Sequence, residues 1–192
     1  MIEDIKMIAR RYYNLKSGWN DSIGGFEVEE FKEPRIFQFN YGPGINPYDD
    51  IKHEEYKKYI FDIQWSYNSN IVTKMAPKSI LAYPSPKMDL MISIFPVDSK
   101  KYSYPNSLMV FNPDGSILYE VEPPTFISKE SSRVNMRGKK GKFGSIGWIE
   151  NDEFDIKIGI VSQEVEEYRK FNPYTGEFGD NIGPISLETY TK

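Results

Sequence analysis

Cysteine is absent from the 192 residues, and histidine occurs once, at His53. The first absence excludes a disulfide framework, a thiol nucleophile and a cysteine-ligated metal. The second excludes any mechanism that needs two histidines and any zinc site built mainly from them. A serine triad would have to use His53, and no Gly-x-Ser-x-Gly elbow accompanies it. Long apolar runs are also missing. The longest, Leu90–Val97 (LMISIFPV), is far short of a membrane span. The N-terminal MIEDIKMIARRYYNLK carries charges throughout and lacks a signal-peptide core, so a cytoplasmic protein without membrane association is expected.

Aromatic residues are abundant: 14 Tyr, 12 Phe and 3 Trp make 15% of the chain, a load that favours β-structure and adhesive surfaces. The length suits a single domain, 1–192, with a real core. Ile2, Ile5, Ile8, Tyr12 and Leu15 recur at three- and four-residue steps. With acids at the start, bases at the end and Gly18 beyond, this spacing predicts a helix over 2–16. A short helical stretch is expected at Asp49–Lys58.

Elsewhere the period is two. Tyr59, Phe61, Ile63, Trp65 and Tyr67 alternate with Asp62, Gln64 and Ser66, the clearest strand in the chain, although Ile51, Tyr59, Ile60 and Ile63 also fit helical spacing. Residues 26–30 and 37–41 alternate as well. Further strands are expected at 78–83, 89–95, 107–112, 116–122, 143–150, 153–162, 165–171 and 184–190. Asn112-Pro-Asp-Gly and Asn172-Pro-Tyr-Thr-Gly each follow a Phe and read as two similar hairpin turns. The expected fold is mainly β (α+β): an antiparallel meander, sandwich or strongly bent sheet with the N-terminal helix packed against it.

Charge is unevenly distributed. The formal net charge is −4, yet Glu150–Lys192 carries ten acidic and four basic side chains, while Lys129, Arg133, Arg137, Lys139, Lys140 and Lys142 face one acid, Glu130. The run Arg137–Gly144 looks like a phosphate or nucleic-acid loop. It lacks the Walker spacing, and the acidic segment that follows repels phosphate, so a mobile solvated hairpin and no nucleic-acid partner are expected. On a helix, Asp49 or Asp50, His53 and Glu54 could hold a metal, but an acidic first turn is the preferred explanation and no metal or cofactor is assigned. A carboxylate pair acting as a hydrolase stays open as an alternative, as does a generic β-rich binding module; no catalytic residue is assigned.

From Leu108 to Gly183, through VFNPDGSILYEVEPP (110–124), GWIENDEFDIKIGI (147–160) and FNPYTGEFGDNIG (171–183), the chain resembles bacterial immunity proteins encoded beside polymorphic toxins, those of contact-dependent inhibition and related systems. The resemblance implies a non-enzymatic inhibitor that binds one cognate protein toxin, often a nuclease. A basic toxin would be steered by acidic residues and retained by aromatic anchors. Glu164, Glu166 and Tyr168 share one strand face and form the central candidate patch, with Asp152, Glu153, Trp148 and Tyr174 around it. Glu167 alternates to the other face.

Overall fold

The computed structural model describes residues 1–14, 27–45, 59–75, 81–95, 108–183 and 185–187. Among these residues there is one short helix, and every other regular element is a strand in one of three antiparallel sheets. The first sheet has the order β2-β1-β3-β4: β1 (Glu3–Asn14), β2 (Glu27–Gln38), β3 (Tyr59–Tyr67) and β4 (Asn70–Lys74). The second runs β5-β6-β7-β8: β5 (Leu81–Pro84), β6 (Met91–Ile94), β7 (Leu108–Phe111) and β8 (Ile117–Val121). The third runs β12-β11-β10-β9, with β13 also paired to β11: β9 (Lys142–Trp148), β10 (Ile156–Val161), β11 (Val165–Asn172), β12 (Glu177–Asn181) and β13 (Ser186–Leu187). The helix, α1, spans Lys129–Arg133.

The sheet β5–β8 is the middle layer. Along β6 and β7 every side chain is buried, and alternate residues enter different cores. Met91, Met109 and Phe111 pack with Met7, Phe61, Ile63 and Trp65 of the first sheet. Ile92, Ile94, Leu108 and Val110 pack with Ile156, Ile158, Ile160 and Phe171 of the third. A strand covered on both sides needs apolar residues at every position, and this is why LMISIF and LMVF read as runs rather than alternations. The third sheet is covered differently: in β10 and β11 burial alternates residue by residue over most of their length.

Polar bonds to prolyl carbonyls join the layers. Trp65 Nε1 donates to Pro113 O at 2.7 Å, linking β3 to the β7–β8 turn. Trp148 Nε1 donates to Pro84 O at 2.7 Å, linking β9 to the end of β5. The Tyr119 hydroxyl on β8 donates to Pro173 O in the β11–β12 turn. The two Asn-Pro-x-Gly hairpins are therefore docking points as well as turns. In both, Asn accepts from the glycine amide at 2.9 Å, and the glycines take φ of +83° (Gly115) and +78° (Gly176). At Gly115 a Cβ would lie 2.5 Å from Val72 of β4, so the close approach of the first sheet also requires glycine there.

The helix expected over 2–16 is a strand, β1, and that corrects the fold class from a β-sheet with a packed N-terminal helix to an almost entirely β architecture. Two irregularities account for the misleading spacing. Against β3, the register shifts between Glu3 and Lys6, where Asp4 has φ of +48°, so Ile2 and Ile5 both reach the core although three residues apart. A second shift, between Ala9 and Arg11, brings Arg10 and Arg11 to the fully buried carboxylate of Asp62, at 3.5 and 3.1 Å. Burial raises the Asp62 pKa, and the two arginines oppose that only in part. Ile8 is buried on the face opposite Met7 and Ala9, and Tyr12 follows the second shift, so the apparent stripe joins residues from both faces of a central strand broken twice.

Other expectations compare as follows. Tyr59, Phe61, Ile63 and Trp65 lie on one core-facing side of β3, with Tyr67 packed beside them. Of the alternations at 26–30 and 37–41, the described residues 27–30 and 37–41 lie on or beside one long strand, β2, at the edge of the described sheet. There Arg35 opposes Ala9 and Glu30 opposes Arg11, so residues 31–34 bulge opposite Arg10; Pro34 lies in that bulge, where no ladder amide is needed. Strands β4 and β12 have no counterpart in the sequence reading. The stretch Asp49–Lys58, including His53, lies outside the described residues, as does Leu15.

Tyr119 and Tyr174 clamp the β11–β12 hairpin to the middle sheet, the second by donating from its hydroxyl to Asp89 Oδ1 at 2.7 Å. Burial pushes both phenols up to about 12 from 10.0. A phenol harder to ionise in the folded state stabilises fully below its unfolded value, and that stability is lost as pH rises from about 10 toward 12. Urea midpoints measured at pH 9 and pH 11 should fall steeply for the wild type and less steeply for Tyr119→Phe/Tyr174→Phe. An unchanged slope in the variant would contradict the assignment.

Candidate partner-binding site

The third sheet has a covered face and an open one. Ile156, Ile158 and Ile160 of β10 point into the core. The open face then follows from register, in three rows across β9, β10 and β11. Lys142, Val161 and Glu166 form the first, Ser145, Gly159 and Tyr168 the second, and Gly147, Lys157 and Lys170 the third. A Cβ at Gly159 would sit 2.2 Å from Ser145 Oγ, so a larger residue there would have to displace the serine hydroxyl. Its neighbour Tyr168 is half-buried on this floor of small residues, with Lys157 Nζ 5.2 Å from the ring centroid. Burial, and secondarily the adjacent Glu166 carboxylate, raise the Tyr168 phenol above its usual value. Tyr168 is thus an aromatic side chain with restricted freedom on an open sheet face, a feature that suits an interface anchor.

The seven candidate residues do not form one patch. Glu166 and Tyr168 are neighbours on the open face, and Glu164 lies in the turn that leads into it, its amide and carboxylate both bonded to Ser162 Oγ at 3.1 and 3.3 Å. Asp152, Glu153, Trp148 and Tyr174 lie toward the opposite end, where Ile156 pairs with Phe171 and Trp148. Glu166 and Asn172 mark the two ends of β11, about 20 Å apart at strand rise. Trp148 is a structural residue: besides bonding to Pro84 it meets Tyr41 and Tyr83 edge-on and touches both cores. Tyr174 is held by Asp89 and meets Phe154 edge-on; Phe154 is about half exposed, with Lys87 Nζ 3.7 Å from its ring centroid.

Much of the C-terminal acidity is consumed internally. Asp152 pairs with Lys170 at 2.8 Å and accepts from the amides of Phe154 and Asp155 at 3.1 and 2.9 Å; despite partial burial, these bonds hold its carboxyl below the usual range. Asp155 lies 3.8 Å from the same lysine. Glu167 is completely buried. It accepts from the amides of Ile127 and Ser128 at 3.1 and 3.0 Å and from the Ser128 hydroxyl, and Ser128 in turn caps α1 through the Ser131 amide at 3.0 Å. On the same strand face, Arg169 donates to Gly179 O at 2.7 Å and Thr125 O at 3.3 Å. Glu150, Glu153, Glu177 and Asp180 keep their charge at the surface.

The basic run expected to be a mobile hairpin is instead folded. Phe126 is buried beneath it, and paired bonds close it: Phe126 N to Lys139 O at 3.0 Å and Gly138 N to Phe126 O at 2.8 Å. No sequence signal marks Glu167 as its anchor, beyond alternation placing that residue on the inner face. Among the described residues no group of three or more His, Asp or Glu is arranged to hold a metal ion, and no helix is long and apolar enough to cross a membrane.

No protein-family model and no curated protein matches the chain. In fold it is similar to a chain of the solved "Structure of Tne2 in complex with Tni2", with a TM-score of 0.57 over 98% of this chain and 100% of that one. At 9% identity the likeness is one of fold.

Glu167→Ala would leave three donors and the nearby Arg169 without their buried carboxylate. It should cost about 3–5 kcal/mol in urea unfolding. A loss below about 1 kcal/mol would mean that the carboxylate does not anchor the segment.

Proposed function

We propose that this chain is a non-enzymatic immunity protein that neutralises one cognate bacterial toxin by binding it. The observation that carries the reading is the end-to-end fold likeness to a chain from a complex of two proteins, Tne2 and Tni2, and it agrees with the resemblance of residues 108–183 to immunity proteins. A protein that works by binding another needs an open, rigid surface with an aromatic anchor, and the face around Tyr168 has those properties.

In this reading the toxin contacts Tyr168 and Glu166, with Glu164 at the rim. The finer proposal, that the toxin is a basic nuclease, rests on the net charge of −4 and on the surface carboxylates of Glu150, Glu153, Glu177 and Asp180, which favour encounter with a basic partner. Glu153 belongs to this outlying charge, whereas Asp152, Trp148 and Tyr174 shape the surface from within.

Binding kinetics against the cognate toxin, co-purified from a strain expressing both, test the proposal. Tyr168→Ala should dissociate about 30-fold faster, equivalent to about 2 kcal/mol. Glu164→Lys/Glu166→Lys should associate more slowly and with weaker salt dependence. Wild-type kinetics in both folded variants would place the interface elsewhere, and failure of the chain to bind or protect against any co-encoded toxin would reject the immunity reading.

A further inference from the structure

The segment between β8 and β9 carries a second charged surface, opposite in sign to the one just described. Lys129, Arg133, Arg137 and Lys139 are all exposed, and among the described residues none has an ion pair; Lys140 is paired with Glu122, and Lys142 stands on the open face in the row of Glu166. Lys129 and Arg133 are four residues apart on α1 and so share a side of it. Four like charges within eleven residues repel one another and would favour a loose chain. This chain is held tightly instead. Glu167 grips its entry at Ile127 and Ser128, Arg169 holds Thr125, Phe126 is buried beneath, and bonds between Phe126 and residues 138–139 close the loop.

Burying a carboxylate to fix a surface segment is expensive, and an apolar residue would have served the core equally well. The arrangement fixes the shape of a cationic surface. We propose that this braced segment, 125–141, is a docking surface for a carboxylate-rich face of a protein partner, separate from the Tyr168 face and not dependent on it.

Its chemistry favours a protein over a nucleic acid. The segment exposes no ring on which a base could stack, since both of its flanking aromatics, Phe126 and Phe143, are buried. It does present Ile127, 39% exposed, and half-buried Val134 and Met136 among the cations. A mixture of arginine, methionine and aliphatic surface is the composition of protein interfaces, and arginine pairs with carboxylates through two parallel bonds.

Fluorescence anisotropy with a labelled twenty-residue poly-L-glutamate peptide, and with an oligo-dT of about the same length, at low salt provides the test. The peptide should bind the wild type more tightly than the DNA does. Arg133→Glu/Arg137→Glu/Lys139→Glu should weaken peptide binding at least tenfold. Glu167→Gln and Ser128→Ala leave every surface cation in place but loosen the brace, and each should weaken it severalfold. Circular dichroism confirms that each variant is folded. Tighter binding of the DNA would overturn the choice of partner, and unaltered peptide binding in the triple variant would overturn the site. Wild-type affinity in both brace variants would overturn the claim that shape, rather than charge alone, makes the surface.

Discussion

The structure depends on burying one small sheet from both sides. Strands β6 and β7 supply Met91, Met109 and Phe111 to one core and Ile92, Ile94, Leu108 and Val110 to the other, so neither outer sheet has a complete core without them. This explains why the strongest apolar runs in the chain are only four residues of strand each, and why the indoles of Trp65 and Trp148 both end on carbonyls of the middle layer. Water is kept out on both sides of that layer. A polar change there would face an apolar environment whichever way it pointed, and a large-to-small change would open a cavity in one of two cores.

The same constraint leaves the far face of the third sheet open. With isoleucines directed inward from β10, the outward rows are free to carry glycine, lysine, glutamate and Tyr168. Surface and interior roles are thus separated by strand alternation: Glu166 and Tyr168 look outward, whereas Glu167 and Arg169, one residue away from each, look inward and organise the segment before β9. One strand therefore presents one surface directly and shapes another from below.

What could be read in the sequence follows from these geometries. Period-two patterns were legible in β3, where aromatic and apolar residues alternate with polar ones, and in β11, and so were the Asn-Pro-x-Gly and Asn-Pro-x-x-Gly turns. The N-terminal strand was not, because a bulge at Asp4, the burial of Ile8 on the opposite face and a register shift at Arg10 together give apparent steps of three and four. Strands β4 (NIVTK) and β12 (EFGDN) are short edge elements without alternation, the first with its two apolar residues adjacent and the second with a single one; their place is set by their neighbours. The helix KESSR has five residues and stands because Ser128 and Glu167 cap it, a tertiary contact that local propensity does not contain. For the candidate site, strand alternation placed Glu166 with Tyr168 and turned Glu167 away. It could not show that Asp152 is neutralised by Lys170 or that Trp148 and Tyr174 serve as braces.

Amide hydrogen exchange resolved by residue tests the central claim most directly. If the doubly covered sheet is the keystone, the amides of Met91–Ile94 and Leu108–Phe111 that bond within the sheet should be the slowest in the protein and exchange only through global unfolding, while those of β4, β12 and the β10–β11 turn open locally. Slower exchange in β1 and β3, or in β10 and β11, than in β6 and β7 would show that an outer sheet persists without the middle one and would contradict the account.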